Sequence, residues 1–165
     1  MKGSPVNKYS LYLIITLAVL LSSCGSKAIF EDQVDFEGGV WREDYPVTFE
    51  FQVTDASIPH QIDVHLRSSQ EYSFHNLYFR YFLKDQEGKV LEESLENKLL
   101  FDARTGKPLG TGIGSIKETS FALLPSYTFP DTGTYQIEYR QYMRFEELEG
   151  IWSIGTSIFP MPDQE

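Results

Sequence analysis

Cysteine is almost missing: Cys24 is the one cysteine in 165 residues. A lone thiol closes no intrachain disulfide, so the fold must be held by its core. Histidine is scarce too. His60 and His65 are an odd five positions apart, which a strand sends to opposite faces, and His75 lies ten further on. A zinc site would need more ligands at closer spacing. The chain has no G-x-S-x-G, no H-E-x-x-H and no D-x-D-x-D-G calcium loop. Glu92-Glu93 and Glu146-Glu147 are adjacent pairs. On a strand, neighbours point apart, so neither pair flanks a glycosidic bond. The glycines of L-G-T-G-I-G-S (109–115) lack a G-K-S/T ending and a following amphipathic helix. They read as a Gly-rich strand or bulged connection, not a phosphate cradle. No catalytic, metal-binding or cofactor-binding residue is assigned, and the expectation is a protein that is not an enzyme. Basic charge is also in deficit. All 24 acids lie beyond residue 23, with 12 of the 14 Lys and Arg. Such a surface excludes nucleic acid and disfavours anionic lipid heads.

What is present first is an N-terminal address. Residues 1–10 carry Lys2 and Lys8 and no acid, and L-Y-L-I-I-T-L-A-V-L-L (11–21) is apolar but for Thr16. Small Ser22 and Ser23 follow. This is the plan of a secretory signal peptide, too short to span a bilayer. The stretch L-S-S-C (21–24) is similar to the bacterial lipobox, whose cysteine is acylated and becomes the first residue after cleavage. Each buried methylene contributes about 0.8 kcal/mol, and two or three acyl chains make release slow. Gly25, not Asp, follows the cysteine; by analogy with bacterial sorting this permits delivery to the outer membrane. The expected organisation is a cleaved signal peptide (1–23), a lipidated Cys24 with a tether (24–35), a folded domain (36–160) and a tail (161–165).

The folded part reads as strands. P-V-T-F-E-F-Q-V (46–53) and Q-I-D-V-H-L-R (61–67) alternate apolar and polar residues. In 72–84, Leu77, Phe79, Tyr81 and Leu83 form one face and Tyr78, Arg80 and Phe82 the other. Both are largely apolar, which marks a central strand or one with a covered outer face. D-Q-E-G-K (85–89) is a hairpin turn, with 89–95 returning as a strand. Leu91, Leu95 and Leu99 also fit a helical face, but the short Gly-containing turn favours strand. Residues 97–118 are loop-like, T-S-F-A-L-L (119–124) is a short strand, and 151–159 is the last. Asp131, Gly133 and Tyr135 have the spacing of a tyrosine corner. Seven or eight strands without a clear helix predict an all-β antiparallel β-sandwich, immunoglobulin-like or jelly-roll.

Aromatics are in excess, with twelve Phe, ten Tyr and two Trp. Most belong in a core, but rings left outside suit an interface or a stacked sugar. The face of Tyr78, Arg80 and Phe82 is the candidate interaction surface. G-G-V-W-R-E-D-Y-P-V-T-F-E-F (38–51), H-L-R-S-S (65–69), Y-S-F-H-N-L-Y-F (72–79), L-G-T-G-I-G-S-I (109–116) and the run from F-P-D-T-G-T-Y to L-E-G-I-W-S-I-G (129–155) complete the pattern. With the lipobox, their order resembles the gliding-motility lipoprotein GldH family of Bacteroidota. The resemblance implies a lipid-anchored accessory protein linked to surface gliding, with no enzymatic activity. Taken with the lipobox and the missing active site, the expectation is a cell-envelope protein, on the outer membrane, that docks onto an envelope protein partner of a motility or secretion machine. It supplies no ligand residues beyond the acylated Cys24. A surface glycan-binding module is the alternative.

Overall fold

The computed structural model describes residues 27–161. The signal segment, Cys24 and the last four residues of the tail lie outside the described residues. Period-two alternation sends the chain into ten strands: β1 (Phe30–Asp35), β2 (Val40–Arg42), β3 (Val47–Val53), β4 (His60–Ser69), β5 (Asn76–Asp85), β6 (Val90–Leu99), β7 (Ile116–Tyr127), β8 (Gly133–Gln141), β9 (Glu147–Glu149) and β10 (Ile151–Pro160). All ladders are antiparallel. One sheet has the order β1-β10-β4-β7, the other β3-β8-β5-β6, and β2 pairs with β9 at one end.

The pairings nest: β1 with β10, β2 with β9, β3 with β8, β4 with β7 and β5 with β6. A single long antiparallel hairpin has been wound on itself, with β5–β6 at its tip. That is jelly-roll connectivity, and it excludes the immunoglobulin-like alternative. The two inner faces meet in the core. Val47, Phe49, Phe51 and Val53 of β3, with Leu77, Phe79, Tyr81 and Leu83 of β5, oppose Ile62, Val64 and Leu66 of β4. Each such side chain contributes roughly 1.5–3 kcal/mol on burial. Tyr139 crosses between the sheets, its hydroxyl 3.1 Å from Thr156 Oγ1, which donates to the Asp63 carbonyl at 2.8 Å. The tyrosine corner is formed: Tyr135 Oη donates to the Asp131 carbonyl at 2.7 Å.

Three elements differ from the sequence expectation. The tether ends sooner than residue 35, because β1 pairs along its length with β10, from Phe30–Ile158 to Asp35–Ser153. Phe30 packs near Phe49 and Phe51, with centroids 6.4 and 5.9 Å away. The short strands β2 and β9 pair Trp41 with Leu148, both fully buried. Two glycines allow this junction. Gly39 has φ +70° and lies under Trp152, 2.8 Å from where a Cβ would sit, and Gly150 has φ +89° against Tyr72. Gly150 N donates to the Gly39 carbonyl at 2.8 Å.

Candidate interaction surface

The outer face of the β3-β8-β5-β6 sheet holds the residues singled out from the sequence. β5 lies inside that sheet, between β8 and β6. Its register sets outward rows: Arg80 lies between Leu95 of β6 and Arg140 of β8, and Phe82 between Glu93 and Glu138.

The three residues do different things. The Phe82 ring is ringed by cations: Arg80, Lys84 and Arg140 lie 5.5, 5.7 and 5.7 Å from its centroid. Two of these are held by Glu138, with Lys84 Nζ at 2.7 Å and Arg140 Nε at 2.5 Å. Burial of Glu138 would raise its pKa. The bonds from Lys84 and Arg140 outweigh that and hold it below the usual carboxylate value. Phe82 is therefore a half-buried ring in a closed charge cluster. Arg80 bridges outward, stacked also near Tyr142 at 6.0 Å and 3.4 Å from Glu93.

Tyr78 alone of the three lines an open groove of about 450 Å³, shared with Phe74, Leu95, Tyr142, Met143 and Arg144. Tyr78, Leu95 and Tyr142 are 38%, 46% and 53% exposed. The turn after β8 builds one wall. Tyr142 N donates to the Tyr78 carbonyl at 2.8 Å. Buried Gln141 accepts from Met143 N at 2.8 Å and donates to the Phe145 carbonyl at 2.5 Å. Arg144 has φ +64°, the one non-glycine residue with positive φ among the described residues. Sequence reasoning missed Tyr142, Met143 and Arg144, because 142–145 has no periodicity. The signal available was the run Y-M-R-F itself, apolar and aromatic residues in a turn.

β6 supplies the other wall, and its alternation is inverted. Ser94 and Glu96 sit opposite the core residues Tyr81 and Phe79, and Lys98 reaches Phe121 of β7 with Nζ 3.7 Å from the centroid. Burial, then Glu92 and Glu96, push the Tyr81 hydroxyl up to about 12. Leu95 and Leu99 point outward instead and are exposed. The outer face here is apolar because an edge strand turns its leucines to solvent.

Other polar groups form no comparable site. His65 lies on the opposite sheet, with Nδ1 2.8 Å from Ser120 Oγ and Nε2 2.7 Å from Ser157 Oγ. No carboxylate orients it, so the arrangement lacks the third member of a triad. Arg42 sits among Glu43, Asp44, Glu146 and Glu147 at the β2–β9 end. It lies 2.9 Å from Asp44 and 3.5 Å from Glu147, but these pairs are solvated. Among the described residues no three His, Cys, Asp or Glu side chains gather to hold a metal ion.

The chain's likeness to known proteins follows the same segments. A gliding motility lipoprotein GldH of Flavobacterium johnsoniae is 29% identical over 153 residues, covering 88% of this chain and 93% of the relative. A protein of Christiangramia forsetii described as a gliding motility lipoprotein GldH homolog is 27% identical over 157 residues, 91% and 94% of the two chains. A solved α-L-arabinofuranosidase overlaps with a TM-score of 0.36 at 15% identity, over 70% of this chain and 17% of its own. The family model for the GldH lipoprotein matches residues 28–158, from just before β1 to near the end of β10. The nested jelly roll and its aromatic outer face are thus the body of a membrane-anchored envelope lipoprotein, and the chain belongs to the GldH lipoprotein family.

Proposed function

We propose that this protein is a non-enzymatic accessory of the cell envelope. It is held at the outer membrane by acyl chains on Cys24 and docks onto a membrane-associated motility or secretion machine. The observation that carries this reading is the groove of Tyr78, Leu95 and Tyr142, where apolar rings stand open on a strongly acidic protein. The relatives' description as gliding motility lipoproteins supports it. Exposed Tyr beside Arg is the composition of interface anchors. Arg144 in the groove wall favours a partner surface with acidic or aromatic side chains.

The test is an allelic replacement in a gliding host with Tyr78→Ala and Tyr142→Ala together. Loss of an anchor pair costs at least about 2 kcal/mol, or roughly thirty-fold in affinity. Colony spreading and surface-protein export should fail, and a crosslinked envelope partner should be lost, while protein level and membrane attachment stay unchanged. Normal spreading with an intact crosslink sinks the proposal. The same two rings also suit sugar stacking. That second reading predicts binding on a glycan array, abolished by the same substitutions, with spreading intact.

A further inference from the structure

We infer that β6 is a homodimerisation edge: two copies of this chain pair their β6 strands antiparallel, about a two-fold axis through Leu95, and join two four-stranded sheets into one. This shares exposed Leu95 with the docking reading but is argued from the strand edge and its charges. β6 closes its sheet, and its far edge pairs with no other strand among the described residues. A free edge is a template for another strand, and proteins usually block it with short length, proline, bulges or charge. The other three edges of the two four-stranded sheets are blocked in those ways. β7 contains Pro125 and breaks register opposite Ile62. β1 carries Glu31, Asp32 and Asp35 and β3 carries Glu50, neither with a base, so each would repel its own copy. β6 has a register break where Leu91 is skipped, and then runs regularly from Glu92 to Leu99 without Pro or Gly.

Charge selects the occupant and the register. Continuing a sheet through a two-fold keeps outward side chains on one face, so positions pair only when their sum is even. Centring on Leu95 overlaps the regular stretch 92–98. It sets Glu92 opposite Lys98 twice, Glu93 opposite Asn97 twice and Leu95 against its own copy. Centring on Glu96 would set that carboxylate against itself and Leu95 against Asn97. Neither Glu92, Glu96 nor Lys98 has an ion-pair partner among the described residues. Inward-facing charges on an edge strand normally repel foreign strands. Here both signs occur, at positions that a two-fold brings together, so the guard admits a second copy. The inverted alternation follows: outward Leu95 would lose its exposure at the axis, and the two grooves would lie side by side on one continuous face. Membrane anchoring confines the copies to one plane, which raises their effective concentration for a modest contact.

The experiment uses the full-length protein in its native membrane. Leu95→Cys places two thiols across the axis, where antiparallel Cα atoms lie about 4.5–5.5 Å apart, within disulfide range. A mild oxidant should convert it to a dimer seen on a non-reducing gel, while Thr48→Cys on the β3 edge stays monomeric. Adding Glu92→Lys to Leu95→Cys makes both cross-strand pairs repulsive and should cut the dimer on the order of ten-fold. Further adding Lys98→Glu reverses both charges and should restore it, which a folding defect would not do. A monomeric Leu95→Cys protein, crosslinking no stronger than that of Thr48→Cys, or a yield indifferent to the charge changes overturns the proposal. Loss of the spreading machine's partner leaves this result untouched, so the two proposals fail separately.

Discussion

His60 opens β4 with its ring buried edge-on to Phe129, centroids 5.4 Å apart, and with Nδ1 lacking a hydrogen-bond partner among the described residues. Burial lowers its pKa below 6.5, more than the Ile58 backbone and Asp55 raise it. The folded state thus prefers neutral His60. The stability this contributes is complete above about 6.5 and is lost as pH falls from there through the lower folded value. The affected carboxylates, Asp44, Asp55, Asp102 and Glu138, titrate below this window. Urea midpoints should therefore fall between pH 7.5 and 5.5 in the native protein and change less in His60→Gln; parallel pH profiles would refute the assignment. Single residues were legible where a local rule dictates them. D-x-G-x-Y predicts a corner because hydroxyl and carbonyl are four positions apart. Phe82 was legible only as facing outward. Its cations come partly from Arg140 on β8, and no periodicity within β5 tells which neighbour will cover a ring.

Elements that bury a full face were readable; elements that bury part of one were not. β3, β4 and β5 alternate without a fault because one whole face of each is buried in the core. β1 has only Phe30 and Val34 in phase, with exposed Asp32 between them, since an edge strand at the margin of the core needs no more. β2 and β9 are three residues each, and their existence depends on Trp41 meeting Leu148 across the molecule. β6 misleads for the opposite reason: its leucines serve the outside. The reassignment of β1 has a direct consequence. In a tether, Phe30→Ala would change stability by no more than about 0.5 kcal/mol, as at ordinary surface sites. Half-buried near Phe49 and Phe51, it should cost about 2 kcal/mol, roughly half of a fully buried Phe→Ala. Chemical denaturation of the two proteins decides between them, provided the slope stays constant.

At the scale of the whole molecule, two parts of the chain have separate duties. The nested hairpin explains why the jelly roll could not be told from an immunoglobulin-like sandwich in sequence: strand lengths and turns are alike, and only long-range pairing differs. The charge of the sandwich disfavours a hold of its own on an anionic membrane. Beyond residue 23 the chain carries 24 acids against 12 bases, and an anionic bilayer repels such a surface. No described helix is long and apolar enough to span a membrane. In the proposed arrangement attachment falls to acyl chains on Cys24, at about 0.8 kcal/mol per buried methylene. Cys24→Ala removes their only acceptor sulfur while leaving small residues at 22–24, a site fit for ordinary signal cleavage. The exported, cleaved variant should keep the wild-type unfolding midpoint, because the first described strand begins at Phe30 and the described core residues lie at or beyond it. It should move from the membrane pellet to the soluble fraction. A cleaved Cys24→Ala protein that still sediments with membranes would show that the sandwich, through its aromatic groove, holds the envelope on its own.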